Sequence, residues 1–413
     1  MDIAIIGGGI GGLTTALTLH ARGFRPRVYE ATAELKPLGV GIVIHSYGSK
    51  ELADLGLAEE LAKNSVEATD SIYYNRFGQQ IYADKIGRRG GYGYLPQMVH
   101  RGFLQMMLYR AVTERLGPDS VLLGHACAGI EQDKSGVTVF LRHGKTGAKA
   151  EPIHADVVIG ADGVRSTVRA NLHPNLRRPH YSGITLWRGV TRANPYHSGG
   201  TILHIGAKRT GSVVIYPILN NIDGSDLALT NWVIELPGSP EIPEDWNRRG
   251  DPKQIEHSFD ECHLDFLDVP ALLRNADAVY EYPMVDHEPL QRWSFDRVTL
   301  LGDAAHAMYP RGGNGSNQAV VDARVLAEQL HKISDPIAAL RAYEDERREA
   351  ANALVIANRG EGPDVLMTIV DQRTGGQPFA DIESVLPFAE ADNIIKEYHR
   401  LAGMARPSNP PKG

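Results

Sequence analysis

Cysteine is scarce in this chain of 413 residues, where only Cys127 and Cys262 occur. Two cysteines cannot form a disulfide framework, and these two lack the spacing of a metal site. No apolar run reaches the ~18 residues that a membrane-spanning helix needs, and no charged segment followed by an apolar stretch indicates a signal peptide. The sequence therefore predicts a cytoplasmic protein without a membrane span.

Basic clusters are missing as well. The chain has 43 Lys and Arg against 50 Asp and Glu, a formal net charge of −7. Nucleic acids and anionic membrane surfaces are bound by clustered Lys and Arg, so neither is expected as a partner. The 16 histidines show no ligand spacing, and no metal site is predicted. The length of the chain favours two domains over one core.

The first glycine motif lies in residues 2–30, where an apolar strand, a glycine-rich turn, a helix and a second strand follow one another. Gly7, Gly9 and Gly12 fit the pattern G-x-G-x-x-G, and Glu30 ends the second strand. Such glycines allow a tight turn, a close approach to a pyrophosphate and the packing of helix on strand. A plain glycine turn without a ligand is the alternative. The strand–turn–helix–strand–acid context favours a dinucleotide site, with Glu30 on a ribose.

Two further motifs place an aspartate just after a buried strand, beside glycine. They are Gly160-Ala161-Asp162-Gly163 and Gly302-Asp303, and the second is followed by the run Gly312–Gly315. A single Asp-Gly pair is usually only a turn. Asp303 could accept a hydrogen bond from a ribityl hydroxyl. The glycine run exposes backbone N–H groups ahead of a helix, where an electron-rich ring or an oxyanion could lie.

The rest of the chain predicts an α/β fold in which a dinucleotide-binding domain is interrupted by a mostly antiparallel sheet. Segments rich in Val, Ile, Thr, Tyr and Trp, separated by turn residues, predict this sheet at 183–193, 201–206, 211–217, 227–236 and 277–284. Helices are predicted at 99–116, 317–331 and 336–358. The predicted domains are 1–175 with 285–360, the inserted 176–284, and a C-terminal helical segment and frayed tail at 361–413.

In this order and at these separations, the three motifs resemble those of the single-component flavoprotein aromatic hydroxylases, the p-hydroxybenzoate hydroxylase-like class. The resemblance covers about residues 1–360. It is closer to the phenazine-carboxylate and salicylate hydroxylase types, through the segments 37–42, 100–102, 187–190 and 282–286.

The resemblance implies a Rossmann-like FAD-binding domain with an inserted antiparallel β-sheet substrate domain and C-terminal helices. It implies a monooxygenase, monomeric or homodimeric, that uses NADH or NADPH and O2. The substrate would be a small aromatic or heteroaromatic compound, including phenazine-like carboxylates, hydroxylated through a C4a-hydroperoxyflavin.

The resemblance also implies how the residues hold a non-covalent FAD. On the adenosine side, it assigns the pyrophosphate to Gly7, Gly9, Gly11 and Gly12, and the adenosine ribose to Glu30 with Ala31 beside it. On the flavin side, it assigns the flavin surroundings to Val40 and Gly41, a phosphate or ribityl contact to Arg101, the ribityl chain to Asp303 beside Gly302, and the pyrimidine end of the flavin to Gly313, Asn314, Gly315 and Ser316. Asp162 would contact both FAD and nicotinamide.

The substrate is expected between the flavin and the inserted sheet. The candidate lining residues are Trp187, Arg188, His204, Tyr216, Met284 and Pro310, and His45, Arg188, Tyr216 and Pro310 are the catalytic candidates. Arg188 could anchor a carboxylate or form a structural ion pair. His45 could accept a proton from a phenolic substrate or could simply be hydrogen-bonded.

One stretch departs from the family pattern. The chain has His45-Ser46-Tyr47-Gly48 where many members carry Pro-Asn-Ala. This stretch lies near the flavin in relatives, so the departure leaves the substrate and the proton-handling group open.

Three other functions share this type of fold. A flavin-dependent halogenase would need a W-x-W-x-I-P signature, which the sequence does not contain. An FAD-dependent reductase or oxidase of aliphatic substrates would not couple nicotinamide oxidation to ring hydroxylation. A redox-sensing flavoprotein without enzymatic activity would need a partner, and no acidic or basic interaction tail supports one.

Overall fold

A computed structural model describes residues 1–37, 39–91, 93–176, 179–238 and 248–404, apart from the side chain of Arg89. Within these residues, no helix is both long and apolar enough to cross a membrane. The predicted frayed tail at 405–413 lies outside the described residues.

The strands, in chain order, are β1 (Ile3–Ile6), β2 (Arg27–Glu30), β3 (Gly41–Ile44), β4 (Ser65–Glu67), β5 (Asp70–Tyr74), β6 (Gln80–Lys85), β7 (Gln97–His100), β8 (Val121–Leu123), β9 (His125–Gln132), β10 (Val137–His143), β11 (Ile153–Ala155), β12 (Val157–Gly160), β13 (His180–Ala193), β14 (Thr201–Ala207), β15 (Gly211–Leu219), β16 (Ala228–Pro237), β17 (Val279–Asp286), β18 (Ser294–Phe295) and β19 (Val298–Leu300).

The α-helices are α1 (Ile10–His20), α2 (Ser46–Asp54), α3 (Ala58–Lys63), α4 (Arg101–Leu116), α5 (Thr167–Leu172), α6 (Val269–Arg274), α7 (Asp303–His306), α8 (Gly315–Lys332), α9 (Pro336–Arg359), α10 (Val365–Thr374) and α11 (Phe388–Ala402). Short 3-10 turns at Arg311–Gly313 and Gly362–Asp364 precede α8 and α10.

The first sheet has the strand order β18-β19-β12-β1-β2-β8 and is parallel except at its β18 edge. Strands β1 and β12 are buried along their whole length, as expected where helices cover both faces of a parallel sheet. Because the strands are parallel, β1, β2, β12 and β19 all end at one edge. Each of the predicted motifs begins at that edge.

The second sheet has the order β17-β13-β16-β15-β14-β5-β6 and is antiparallel except between β14 and β5. One face packs on α6 through a core that includes Trp232, Ile234 and Leu272. Residues of the other face line a cavity, described below. The predicted combination of an α/β domain, an antiparallel sheet and C-terminal helices is confirmed.

Two features differ from the sequence-based expectation. Residues 70–85 supply β5 and β6 to the large sheet, although they precede the predicted insertion. The helix predicted over 99–116 begins at Arg101, because Gln97–His100 form strand β7, paired with β3 and β4. The division of the chain into domains remains a proposal.

Candidate functional site

The glycine turn after β1 leaves its amide edge open. Gly7 has a φ of +111°, which other residues rarely adopt, and a Cβ at Gly12 would lie 2.0 Å from the Gly7 carbonyl oxygen. A Cβ at Gly9, in contrast, would meet nothing within 4 Å. Gly9 is the N-cap of α1 and makes no side-chain cap bond. The first turn of α1 therefore offers free N–H groups and a positive dipole end to an anion.

Glu30 closes the side of this turn. Its Oε2 accepts a hydrogen bond from the Gly8 N–H at 2.7 Å. Its Oε1 accepts from the Thr32 N–H at 2.7 Å and from the Thr32 hydroxyl at 2.9 Å. The carboxylate is thus oriented at the end of β2, where the sequence places a ribose contact. Ala31 next to it is exposed.

The Asp162 motif is used mostly within its own loop. The Asp162 carboxylate accepts from the Ser166 hydroxyl at 2.5 Å and from the Thr167 N–H at 2.7 Å, and so caps helix α5. Burial raises the pKa of Asp162, while these hydrogen bonds lower it. The Asp162 side chain thus holds its own loop, and its contact with FAD and nicotinamide stays a prediction.

The Gly302-Asp303 motif is anchored by a buried ion network. Asp322 of α8 accepts from the Gly302 N–H at 3.1 Å, from His306 Nε2 at 2.6 Å and from Arg347 Nε at 2.7 Å. Burial alone would raise the pKa of Asp322, but His306 and Arg347 outweigh it and lower the pKa to about 2. The network fixes the turn that presents Asp303, whose side chain is exposed.

The loop Pro310–Ser316 forms the opposite rim. Gly312 and Gly313 both have a φ of +65°, a left-handed backbone conformation that favours glycine. Asn314 Nδ2 donates to the Tyr398 hydroxyl at 2.7 Å and to the Gly312 carbonyl at 3.1 Å, and Oδ1 accepts from the Tyr47 hydroxyl at 2.9 Å. The Asn314 side chain is therefore satisfied inside the protein and is not available to a ligand.

The remaining predicted cofactor residues surround the entry to α4. Gly41 is held on both sides: its N–H donates to Asn231 Oδ1 at 2.7 Å and its carbonyl accepts from Arg188 Nη2 at 2.9 Å. Val40 is buried beneath, and its carbonyl accepts from the Arg101 N–H at 3.0 Å. Gly11 lies where α1 meets α8, since a Cβ there would approach Ala319 to 3.2 Å.

A cavity of about 350 Å³ separates this rim from the large sheet. That volume lies in the range of small-molecule sites. The residues around it include Ile42, Val43, His45, Ser71, Tyr73, Asp84, Arg101, Arg188, Ile202, His204, Val214, Tyr216, Val233, Glu235, Asp303, Pro310, Arg311, Gly312, Gly313, Gly315, Ser316, Pro363, Asp364, Tyr398, His399 and Met404.

Arg188 and Tyr216 lie together in the cavity wall, as the sequence analysis expects. Burial lowers the pKa of Arg188, and the neighbouring Tyr216 and Tyr282 offset this lowering only in part. Burial raises the pKa of Tyr216 to about 12, so its hydroxyl keeps its proton at neutral pH. Among the described residues, nothing accepts a hydrogen bond from the buried Nε of Arg188. A buried guanidinium with an unused donor is suited to an anionic or carbonyl ligand.

His45 is a neutral group in this site. Its Nε2 donates to the Gly312 carbonyl at 2.8 Å, and burial lowers the pKa of the ring to about 4 despite that bond. A histidine with such a pKa is a weak base at neutral pH. The structure therefore favours a hydrogen-bonding role that positions the glycine loop over the hypothesis that His45 accepts a proton.

Two of the candidate lining residues face elsewhere. Trp187 alternates with Arg188 on β13 and packs into the opposite core with Trp232. Met284 is fully buried against Leu186 and Tyr309. His204 and Pro310, by contrast, do line the cavity.

Several cavity residues have no counterpart among the residues predicted from the sequence. Ser71, Tyr73 and Asp84 come from β5 and β6, and Asp364 and His399 come from the C-terminal segment. The local sequence of β5, Asp-Ser-Ile-Tyr-Tyr, shows no alternation of polar and apolar residues that could have identified these residues.

The geometry fits a dinucleotide cofactor. Three groups lie along one sheet edge: the open N-terminus of α1, the oriented carboxylate of Glu30 and the exposed carboxylate of Asp303. A glycine loop borders the cavity. Ligands of open α/β sheets bind at this edge.

The comparisons with known proteins agree. The FAD binding domain family matches residues 1–358. A phenazine 1,6-dicarboxylic acid hydroxylase of Lysobacter antibioticus is 39% identical over 87% of this chain and 89% of its own. A 3-amino-4-hydroxybenzoate 2-monooxygenase of Streptomyces platensis is 32% identical over 84% of this chain and 83% of its own.

A solved structure supports the fold. HpxO of Klebsiella pneumoniae, in complex with FAD and uric acid, covers 96% of this chain and 97% of its own, with a TM-score of 0.75 and 24% identity. Because the sequence relatives named above are hydroxylases, they favour hydroxylation over halogenation, aliphatic oxidation or redox sensing. The chain belongs to the FAD binding domain family and is an FAD-dependent aromatic monooxygenase acting on a small molecule with O2.

Proposed function

We propose that this enzyme hydroxylates a flat heteroaromatic carboxylate whose acid group is held by Arg188. The observation that carries the proposal is that the Arg188 guanidinium lines the cavity and has no carboxylate in ion-pair contact among the described residues, its charged and phenolic neighbours being Tyr216, Tyr282 and Arg101. An unpaired anion in a dry cavity is prohibitive, so a carboxylated substrate needs such a donor. The names of the two sequence relatives describe enzymes of ring carboxylates, which supports the same class.

The cofactor would be held by residues at the sheet edge. The amides at Gly9 and α1 would meet the pyrophosphate, Glu30 the adenosine ribose and Asp303 the ribityl chain. The backbone of Gly313, Gly315 and Ser316 would border the flavin. Bound FAD supplies hydride acceptance from NADH or NADPH and the activation of O2.

The protein's own contribution is positioning and exclusion of water. Val214 and Val233 form an apolar floor on the sheet, over which a flat ring can lie. The Tyr216 hydroxyl, protonated at neutral pH, can donate to the same anionic group as Arg188. Fixing the acid group in this way selects which ring carbon faces the flavin loop.

The test is a screen of aromatic and heteroaromatic acids for stimulation of nicotinamide oxidation, with mass spectrometry for a product that has gained one oxygen. Carboxylated bicyclic and tricyclic rings are expected to stimulate oxidation and to be hydroxylated. Equal stimulation by rings without a carboxylate would contradict the proposal.

Replacing Arg188 with lysine is expected to raise KM for a carboxylated substrate roughly tenfold and to increase hydrogen peroxide release. Lysine keeps the charge but loses the planar fork that fixes a carboxylate. The measurement is steady-state kinetics with a peroxide assay, with bound FAD quantified by absorbance. Arg192→Lys is the matched control, since Arg192 lies on the same strand in an exposed pair with Asp223. Wild-type KM and coupling in Arg188→Lys would show that Arg188 is structural.

Replacing Glu30 with alanine is expected to weaken FAD binding roughly ten- to a hundredfold. The loss of a charged acceptor costs about 1.5–3 kcal/mol, and the Gly8 N–H also loses its partner. Titration of the apoprotein with FAD measures this, with Glu34→Ala as the control, because Glu34 is exposed beside Lys36. An unchanged dissociation constant would place Glu30 outside the cofactor site.

Acid precipitation of the parent protein should release FAD into the supernatant, as expected for non-covalent binding.

A further inference from the structure

The far side of the cavity carries a second polar site, formed by Ser71, His204 and Asp364. His204 Nδ1 lies 2.8 Å from the Asp364 carboxylate, and His204 Nε2 lies 3.1 Å from the Ser71 hydroxyl. The His204 ring stacks on Tyr73 with ring centroids 4.4 Å apart and planes 16° from parallel. The ring orientation is thus fixed by contacts on three sides.

This second site lies in direct register with Arg188. Across the sheet, Arg188 pairs with Val233, Val233 with Val214, and Val214 with His204. Residues opposite one another on neighbouring strands point to the same face of a sheet. Three strand spacings of about 4.8 Å place the His204 backbone about 14 Å from that of Arg188. The row Arg188–Val233–Val214–His204 is therefore an apolar floor with a polar group at each end.

The charges at the two ends have opposite sign. Arg188 and Arg101 line one end, and the Arg101 charge contributes to lowering the pKa of Arg188. Of the carboxylates that line the cavity wall, Asp364 and Asp84 lie at the other end. Glu235 is on β16, next to the strand of Arg188, and burial and the charge of Asp364 raise its pKa. Each of the three has a basic neighbour.

These pairs are Asp364 with His204 at 2.8 Å, Glu235 with Arg311 at 2.9 Å and Asp84 with His399 at 3.7 Å. A second substrate anion at the end away from Arg188 would meet the carboxylates of Asp364 and Asp84, whereas a hydroxyl or amino group would find acceptors.

We propose that the substrate carries, at the end away from its acid group, a neutral hydrogen-bond donor that is bound by His204. This inference rests on the proposed function and narrows its substrate class to monocarboxylates with a distal hydroxyl or amino group. Asp364 accepts from Nδ1 and leaves Nε2 as the acceptor for the donor, in place of the Ser71 hydroxyl or together with it. His204 is a specificity-determining residue in this assignment.

The proposed substrate differs from the phenazine dicarboxylate in the name of the Lysobacter antibioticus relative. A phenazine dicarboxylate would place its second acid group towards Asp364 and Asp84. The repulsion between this second acid group and these carboxylates would weaken binding. The chain should therefore bind a donor-bearing monocarboxylate more tightly than the dicarboxylate.

The experiment uses the FAD-loaded enzyme and three probes. They are a phenazine monocarboxylate, the same acid with a hydroxyl or amino group on the distal ring, and phenazine 1,6-dicarboxylate. Dissociation constants are measured from the change in flavin absorbance or fluorescence. The donor-bearing acid is expected to bind roughly tenfold more tightly than the plain acid, and the dicarboxylate more weakly than both.

Two variants assign this preference to His204. His204→Phe keeps a flat ring against Tyr73 but removes both nitrogens, and it is expected to reduce the tenfold preference to near unity. His204→Gln keeps an acceptor and is expected to restore part of the preference. Thermal melting of both variants shows whether they fold like the parent; if His204→Phe does not, Ser71→Ala and His204→Gln provide the comparison.

The outcomes distinguish the two proposals. If plain and donor-bearing acids bind alike, if the dicarboxylate binds most tightly, or if His204→Phe keeps the preference, the assignment of His204 is wrong while the Arg188 anchor stands. If none of the three acids binds or is hydroxylated, the proposed function itself fails.

Discussion

Asp322→Asn should lower the free energy of unfolding by about 3–5 kcal/mol, the cost of leaving a buried charge without its partner. The side chain of Asp322 is 0% exposed and that of Arg347 is 10% exposed. Asparagine has almost the same shape, but it cannot offer two anionic oxygens to Arg347, His306 and the Gly302 N–H. Chemical denaturation at pH 7 measures the difference.

The difference in free energy of unfolding between the parent protein and Asp322→Asn should become smaller in acid. Because the folded-state pKa of Asp322 is lowered from 3.8 to about 2, its stabilising contribution is fully present above pH 3.8 and is lost as the pH falls through 2. The difference between parent and variant should therefore be smaller at pH 2.5 than at pH 7. Glu328→Gln on the same helix is the control, since its partly exposed ion pairs predict a loss below about 1 kcal/mol. A loss of that small size in Asp322→Asn would mean that the network does not anchor the Gly302 turn.

Gly9→Ala should reduce FAD affinity roughly ten- to a hundredfold while leaving the apoprotein as stable as before. The backbone at Gly9 has a φ of −76°, which alanine adopts without strain, and a Cβ there meets no protein atom within 4 Å. The added methyl group therefore intrudes only on a ligand at the N-terminus of α1. Overpacking by one methyl group costs about 1–3 kcal/mol.

Gly12→Ala is the variant to compare with Gly9→Ala. Its Cβ would collide with the Gly7 carbonyl, so this variant should lose apoprotein stability as well as FAD. Thermal melting of the apoproteins and FAD titration separate the two effects. Full FAD affinity in Gly9→Ala would exclude the turn after β1 as the pyrophosphate site.

The sequence identified the segments that meet at the sheet edge because each of their motifs is local. A buried strand, a glycine and an acid that follow one another in the chain define Gly7–Gly12, Glu30 and Asp303 without knowledge of tertiary contacts. Parallel pairing then brings these segments to one edge. The antiparallel segments were predicted for the same reason, since a run rich in β-branched and aromatic residues between turn residues is also a local pattern.

The far side of the cavity could not be predicted in this way. Ser71 and His204 are 133 residues apart, and His204 and Asp364 are 160 apart. Their meeting depends on the parallel pairing of β5 with β14 and on the return of the C-terminal helices, neither of which leaves a local signal. Similarly, the sequence placed both Trp187 and Arg188 in the pocket, although neighbours on one strand point to opposite faces.

The wall formed by Pro363, Asp364, Tyr398, His399 and Met404 lies beyond residue 358, where the match to the FAD binding domain family ends. Under the proposed function, substrate preference thus depends in part on residues outside the stretch that matches the family. This C-terminal cassette also packs on β5 and β6 and holds Asn314 through Tyr398, so it should tolerate change chiefly at its cavity-facing positions. Libraries randomised only at cavity-facing positions of that cassette should yield new substrate ranges while the variants remain yellow.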